Sequence, residues 1–170
     1  KAAQMSRHAP RAAAPRTAWP RRCARFLVPA ACRMPETEEP RAAGPGRIDR
    51  DALDRAVFPT RHVVPTRFSD LDAEKRVGDV AFASLIEEGR SRFFREVAWY
   101  ETRGRYRAVV ASFQIEHVAE LHYPQPVEID TGILSLGRKT ATMAQILRQD
   151  GRTAAYALTT IVVMLDGRPA

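Results

Sequence analysis

Residues 67–90 read RFSDLDAEKRVGDVAFASLIEEGR. The hydrophobic period changes in the middle of this stretch. Overlapping its start, RHVVPTRFS (61–69) reads as a strand, with Pro65 assigning it to a sheet edge or a bulge. DLDAEKRV (70–77) follows neither period and reads as a loop. From Asp79 onward, Phe82, Leu85, Ile86, Gly89, Phe93 and Val97 recur at spacings of three and four. That is one apolar stripe of a helix running from 79 to about 98. Asp79 suits the first turn, where a carboxylate meets the positive end of the helix dipole. Gly89, on the buried stripe, lets the backbone approach the surface it packs on. The loop thus delivers two carboxylates, Asp70 and Asp72, to the start of a long amphipathic helix.

Four strand patterns follow. In YRAVVASFQIEHVAE (106–120), Val109, Ala111, Phe113, Ile115 and His117 share one face; Val110, Ser112, Gln114, Glu116 and Val118 share the other. PVEIDTGILSL (126–136) points Val127, Ile129 and Ile133 inward. Gly137-Arg138-Lys139 is a tight connection into TATMAQILR (140–148), and Asp150-Gly151 is a hairpin signal. TAAYALTTIVVML (153–165) is apolar on both faces, as a central strand is. One strand, one long helix and four strands predict an α+β fold, a helix on a five-stranded antiparallel sheet. One helix cannot cover both faces of such a sheet. Ser112, Gln114 and Glu116 predict water on one strand's second face. The second face of the last strand predicts a cover, most simply a second copy of the chain.

The 170 residues carry 27 bases, 20 acids and a net charge of +7. Eight of those bases and none of the acids lie in residues 1–35. The remainder holds 19 bases against 20 acids and exerts no global pull on polyanions. Residues 1–57 therefore read as a disordered basic leader and linker, and residues 58–170 as the domain. Within the linker, IDRDALDRAVF (48–58) has the pattern of one or two helical turns with Ile48, Leu53 and Val57 inward. The leader fits a transit peptide or an early start ahead of Met34. Both cysteines, Cys23 and Cys32, lie in it and form no metal or CxxC pattern. A cysteine-free body suits the cytoplasm. The run AAYALTTIVVML (154–165) is too short to span a bilayer, so no membrane partner is expected. No aromatic or glycine pattern beside the tail arginines supports a nucleic-acid module.

Three places in the chain resemble the hot-dog fold thioesterases of the 4-hydroxybenzoyl-CoA thioesterase type, over about residues 60–166. The first is R-F-S-D-L-D followed by I-E-E-G-R, which is similar to that family's R-x-x-D-x-D-x-x-G-H-V-N-N and E-E-A-R. The second is F-Q-I-E-H-V-A-E-L-H-Y-P, an apolar strand ending in an aromatic and a proline turn. The third is G-R-K-T at 137–140, like the turn that meets the nucleotide end of coenzyme A. The resemblance implies one long central helix wrapped by the sheet, pairing into a homodimer or a dimer of dimers. It implies hydrolysis of acyl-CoA or acyl-carrier thioesters, with no metal or redox cofactor.

The resemblance also assigns roles. Asp72 matches the catalytic carboxylate, a nucleophile on the thioester carbonyl or a base for water. The backbone N–H of Asp79, at the helix start, would hold the oxyanion. Asp70 would bond turn amides. A related branch uses a helical glutamate, which makes Glu87 a second candidate; the alternative is that it pairs with neighbouring arginines or faces water. Arg138, Lys139 and Thr140 would bind coenzyme A phosphates, or form an ordinary solvated turn. Phe82, Leu85, Ile86 and Phe113 would line an acyl tunnel against the partner subunit, and His117 reads as an interface or core histidine. Where the family has G-H-V-N-N, this chain has Lys75-Arg76-Val77-Gly78-Asp79. That departure leaves a non-catalytic acyl-thioester binder as the alternative.

Overall fold

The structure, a computed structural model, describes residues 46–97, 99–102, 106–165 and 168–169. Residues 1–45, most of the expected leader, lie outside the described residues. The elements run α1 (Arg50–Arg55), β1 (Thr60–Val64), α2 (Asp79–Glu96), β2 (Tyr106–His117), β3 (Val127–Leu136), β4 (Thr140–Gln149), β5 (Arg152–Leu165) and β6 (Arg168–Pro169). All strand pairs are antiparallel, in the order β1-β3-β4-β5-β2, with β6 added to β5. The α+β arrangement is the one the sequence implies, except that the two-residue β6 makes a sixth strand. The β1 strand stops at Val64, short of the expected 69, because Pro65 has no N–H to continue the ladder. Phe68–Asp70 instead forms one 3-10 turn. The tight Asp150-Gly151 hairpin is present, with φ of 50° and 75° at the two residues.

Helix α2 lies across one face of the sheet. Two clusters fill the space between them: Phe82, Leu85 and Ile86 with Val127, Ile129 and Leu147, and Phe93 with Ile133, Met143 and Ile161. Gly89 is the point of closest approach. A Cβ there would stand 2.7 Å from Ile129 Cγ2 and 2.8 Å from Gln145 Nε2. Gln145 is itself buried and ties strand to helix, donating to the carbonyl of Ile86 at 2.9 Å.

Strand β2 departs from simple alternation. Val110 pairs with Ile161, but Ser112 pairs with Thr160, so Ala111 is an extra residue. The bulge switches the face that looks toward α2. Before it, Tyr106, Ala108 and Val110 share a face with Ile161 and Val163; after it, Phe113, Ile115 and His117 share a face with Thr159, Ala157 and Ala155. Val109 therefore does not share a face with Phe113, as unbroken alternation required. β2 is also the edge strand, and Val109, Val110 and Phe113 are all exposed.

The second face of the sheet is covered by the chain itself. Ile48 and Leu53 bury against Ala144, Ile146 and Tyr156, with Phe58 and Leu134 at the margin. Glu116 accepts the N–H of Ile48 at 2.6 Å and the Nε–H of Arg50 at 2.9 Å; Tyr156 donates to Asp54 at 2.7 Å. From Gly46 on, the expected linker is therefore packed structure, and Glu116 is not on a wet face. Val57, expected inward, is 60% exposed, because α1 ends at Arg55 and the chain turns toward β1.

Candidate active site

The loop between β1 and α2 is built by its two aspartates. Asp70 Oδ2 accepts the N–H of Arg67 at 2.7 Å, and its carbonyl accepts the N–H of Gly78 at 2.9 Å. Asp72 Oδ1 accepts the N–H groups of Glu74 at 2.8 Å and Arg76 at 3.0 Å. The resulting tight turn holds Lys75 at φ 63°, in the left-handed region. The family pattern has glycine at this place, and glycine enters that region without steric cost. The turn is thus kept here although the residue that favours it is gone.

Arg76 fixes the loop from outside. Its guanidinium bonds Glu120 and Glu74 at 2.7 Å each and lies 3.5 Å from Asp72 Oδ2. The N–H of Arg76 above all, then the N–H of Glu74 and the Arg76 guanidinium, hold the Asp72 carboxyl below its ordinary 3.8. Asp72 is therefore ionised at neutral pH. Its side chain is one-third exposed, and Oδ2 is the oxygen not engaged by backbone amides.

The carboxylate stands beside the start of α2. Gly78 is the N-cap and supplies no side chain to the helix amides; the Asp72 Cβ lies 3.4 Å from where its Cβ would be. The Asp79 carboxylate is 95% exposed and lies 3.8 Å from His117 Nε2. It makes no hydrogen bond to the helix amides among the described residues, so the N–H of Asp79 has no side-chain cap. His117 meets the Phe82 ring edge-on at 4.5 Å. The sequence reading gave this histidine a packing role; it also stands at the mouth of the helix start.

The other expected site residues are spread out. Phe82, Leu85 and Ile86 are core residues of the single chain, 3%, 5% and 0% exposed. Their side chains fill the helix–sheet contact, which the same apolar stripe specifies equally well. Phe113 is exposed on β2. Arg138, Lys139 and Thr140 form the β3–β4 turn, where Thr140 and Val109 both pair with Val162. That is the Tyr106 end of the sheet, whereas Asp79 lies at the His117 end. At about 3.3 Å per residue, the length of β2 is on the order of 35 Å. One chain does not bring this turn to Asp72.

A cleft of about 620 Å³ opens along the C-terminal half of α2. Glu87, Arg90, Phe94, Trp99, Tyr100 and Tyr106 are among its walls. Glu87, the second carboxylate candidate, is exposed and faces this cleft. Arg90 is half-buried, and withdrawal from water lowers its pKa from the usual arginine range. Sequence reasoning passed over Arg90, although one signal was present. It falls four residues after Ile86 and three before Phe93, on the border of the apolar stripe. Among the described residues, no helix is long and apolar enough to cross a membrane.

A family model described as the thioesterase-like superfamily matches residues 66–169. This chain belongs to that superfamily. The matched span includes the aspartate loop, α2 and the sheet from β2 to β6. Among solved structures, a thioesterase complexed with coenzyme A and Zn from Thermus thermophilus is 32% identical, with a TM-score of 0.60. The match covers 66% of this chain and 85% of that one. A probable thioesterase from Bartonella henselae, 20% identical, matches with a TM-score of 0.61 over 67% of this chain and 98% of that one. YbaW, a probable thioesterase from Escherichia coli, is 18% identical with a TM-score of 0.58 over 65% and 86%. These last two share the hot-dog fold of the superfamily. No curated protein matches the sequence.

Proposed function

We propose that this protein hydrolyses acyl-coenzyme A thioesters, with Asp72 as the base for water or as the nucleophile. The observation that carries the reading is an ionised carboxylate beside an uncapped helix start. Asp72 Oδ2 takes a proton from water as the water oxygen attacks the carbonyl carbon, or attacks that carbon itself to form a mixed anhydride that water then cleaves. Negative charge then grows on the carbonyl oxygen, and the N–H of Asp79 and the positive end of α2 stabilise it. The C–S bond breaks as the tetrahedral carbon collapses, and the coenzyme A thiolate leaves. The coenzyme A bound to the Thermus relative supports this choice of carrier. The two-aspartate loop supports the 4-hydroxybenzoyl-CoA thioesterase type within the superfamily.

A homodimer completes the site. Among the described residues, the outer edge of β2 is unpaired, and it carries exposed Val109, Val110 and Phe113. Antiparallel pairing of two copies about the middle of β2 sets Tyr106 opposite His117 of the partner subunit. The cleft of one subunit and its Arg138-Lys139-Thr140 turn then approach the other subunit's helix start. A second reading, an acyl-thioester binder without turnover, is favoured by one observation: Asp72 Oδ1 is already committed to two backbone amides.

Thiol release from a panel of acyl-CoAs separates the readings. Asp72→Asn keeps the turn's acceptor and removes the charge; it lowers kcat by about 10²- to 10⁴-fold. Turnover unchanged in Asp72→Asn but lost in Glu87→Gln moves the chemistry to the helical glutamate. Saturable binding without thiol release establishes the binder.

A further inference from the structure

Arg90 sits where an arginine is costly. It lines a cleft whose walls include Phe94, Trp99 and Tyr106, and withdrawal from water outweighs the other influences on its charge. Among the described residues it has no hydrogen bond and no ion pair within 4.0 Å; Glu87, one helical turn away, and Tyr100 act on it only at longer range. A cation withdrawn from water without a counter-ion is destabilising unless something anionic meets it. The walls say what shape that partner has. Phe94 lies 5.7 Å from Trp99 and 6.5 Å from Tyr100, centroid to centroid, so flat aromatic surfaces surround the opening. The cleft volume is in the range of small-molecule sites.

We propose that this cleft receives an acyl group ending in a carboxylate, an aryl one for preference, and that Arg90 is its bidentate partner. The proposal rests on the thioester reading and names the substrate class of that site. An arginine fork matches a carboxylate in geometry as well as charge, and the aromatic walls hold the ring that carries it. Among the described residues, the charged side chains on the cleft are Glu87, Arg90 and Arg107. Glu87 and Arg107 are exposed and screened by solvent, whereas Arg90 is half-buried. Along a single helix, Arg90 lies roughly 16 Å from Asp79 at about 1.5 Å per residue, beyond the reach of one ring. In the β2-paired dimer, the Arg90 that receives the acyl tail belongs to the subunit opposite the catalytic turn.

The test compares 4-carboxybenzoyl-CoA with 4-methylbenzoyl-CoA on the full chain, for wild type, Arg90→Gln, Arg90→Lys and Arg107→Gln. Arg90→Gln lowers kcat/KM for the carboxylate ester by about ten- to a hundredfold, the value of charge-assisted hydrogen bonds. The methyl ester changes by no more than about twofold, which also shows that the variant is folded. Arg90→Lys recovers part of the loss, and Arg107→Gln behaves as wild type. Equal losses on both esters, or none on either, overturn the proposal while leaving hydrolysis intact. Terephthalate binding, measured by calorimetry, covers the case in which no ester is cleaved. Binding that Arg90→Gln weakens tenfold or more then supports the cleft assignment and removes the hydrolase reading. Binding indifferent to Arg90 overturns the inference.

Discussion

Replacing Gly89 by alanine tests how α2 is seated. In an exposed helix the change would stabilise by about 1 kcal/mol, because alanine is the better helix former. Here the new Cβ would meet Ile129 Cγ2 at 2.7 Å and Gln145 Nε2 at 2.8 Å. Both distances are below contact, and neither neighbour can yield freely. Ile129 is fully buried on β3. Gln145 is 1% exposed, and its amide is held by the Ile86 carbonyl at 2.9 Å and by Thr131 Oγ1 at 3.3 Å. Overpacking costs about 1–3 kcal/mol, and displacing the Gln145 amide leaves a buried donor unmet for about 1–3 more. After subtracting the propensity gain, Gly89→Ala is expected to destabilise by about 1–5 kcal/mol. At roughly 4 °C per kcal/mol for a domain of this length, Tm falls by about 4–20 °C. Urea denaturation with matched m-values measures it. Ser84→Ala is the control on the same helix: Ser84 is exposed and bonds back to the Val80 carbonyl at 3.1 Å. It should stabilise by about 0.5 kcal/mol. If Gly89→Ala is as stable as wild type, the close approach of helix and sheet is wrong.

Lys75→Gly relieves a left-handed lysine and should raise stability by about 0.5–1 kcal/mol in the same assay, after glycine's larger unfolded-state entropy is deducted. The Asp72 carboxyl titrates below 3.8, so the acid limb of the kcat/KM profile should lie below that pH, with activity level from there toward neutrality. The same depressed pKa gives stability that is full above the unfolded value and lost as pH falls through the folded one. Because the Arg76 N–H is the first cause, Arg76→Met should leave most of the depression in place; an acid limb at ordinary carboxylate pH in wild type would remove Asp72 from the rate-determining chemistry. Leu53→Ala should cost about 2–3 kcal/mol, read from the urea midpoint, since Leu53 is 2% exposed against the sheet.

The architecture was legible wherever one face of an element is apolar. The Phe82-to-Val97 stripe and the alternation through residues 126–165 each have one period and one partner surface. The Ala111 bulge was not legible, because an inserted residue looks like continued alternation until the register with β5 is known. The cover over the second face was misassigned for a different reason. The pattern of α1 was visible, but a six-residue helix has too little apolar surface to reveal what it packs on. Near the candidate site, the motif placed Asp70 and Asp72 in the turn and Asp79 at the helix start because both features are local. The cleft was missed because Arg90 and Tyr106 meet only through the fold, and no short spacing encodes that meeting.

The strap from Gly46 to Phe58 bears on how copies of this protein can stack. Back-to-back association of two sheets would have to use the surface that Ile48 and Leu53 already occupy. Such stacking first requires peeling off the strap, with loss of the Asp54–Tyr156 and Ile48–Glu116 bonds. A chain cut after Phe58 would bare Ala144, Ile146 and Tyr156, and its molecular mass in solution should climb as that plane finds another molecule to lean on.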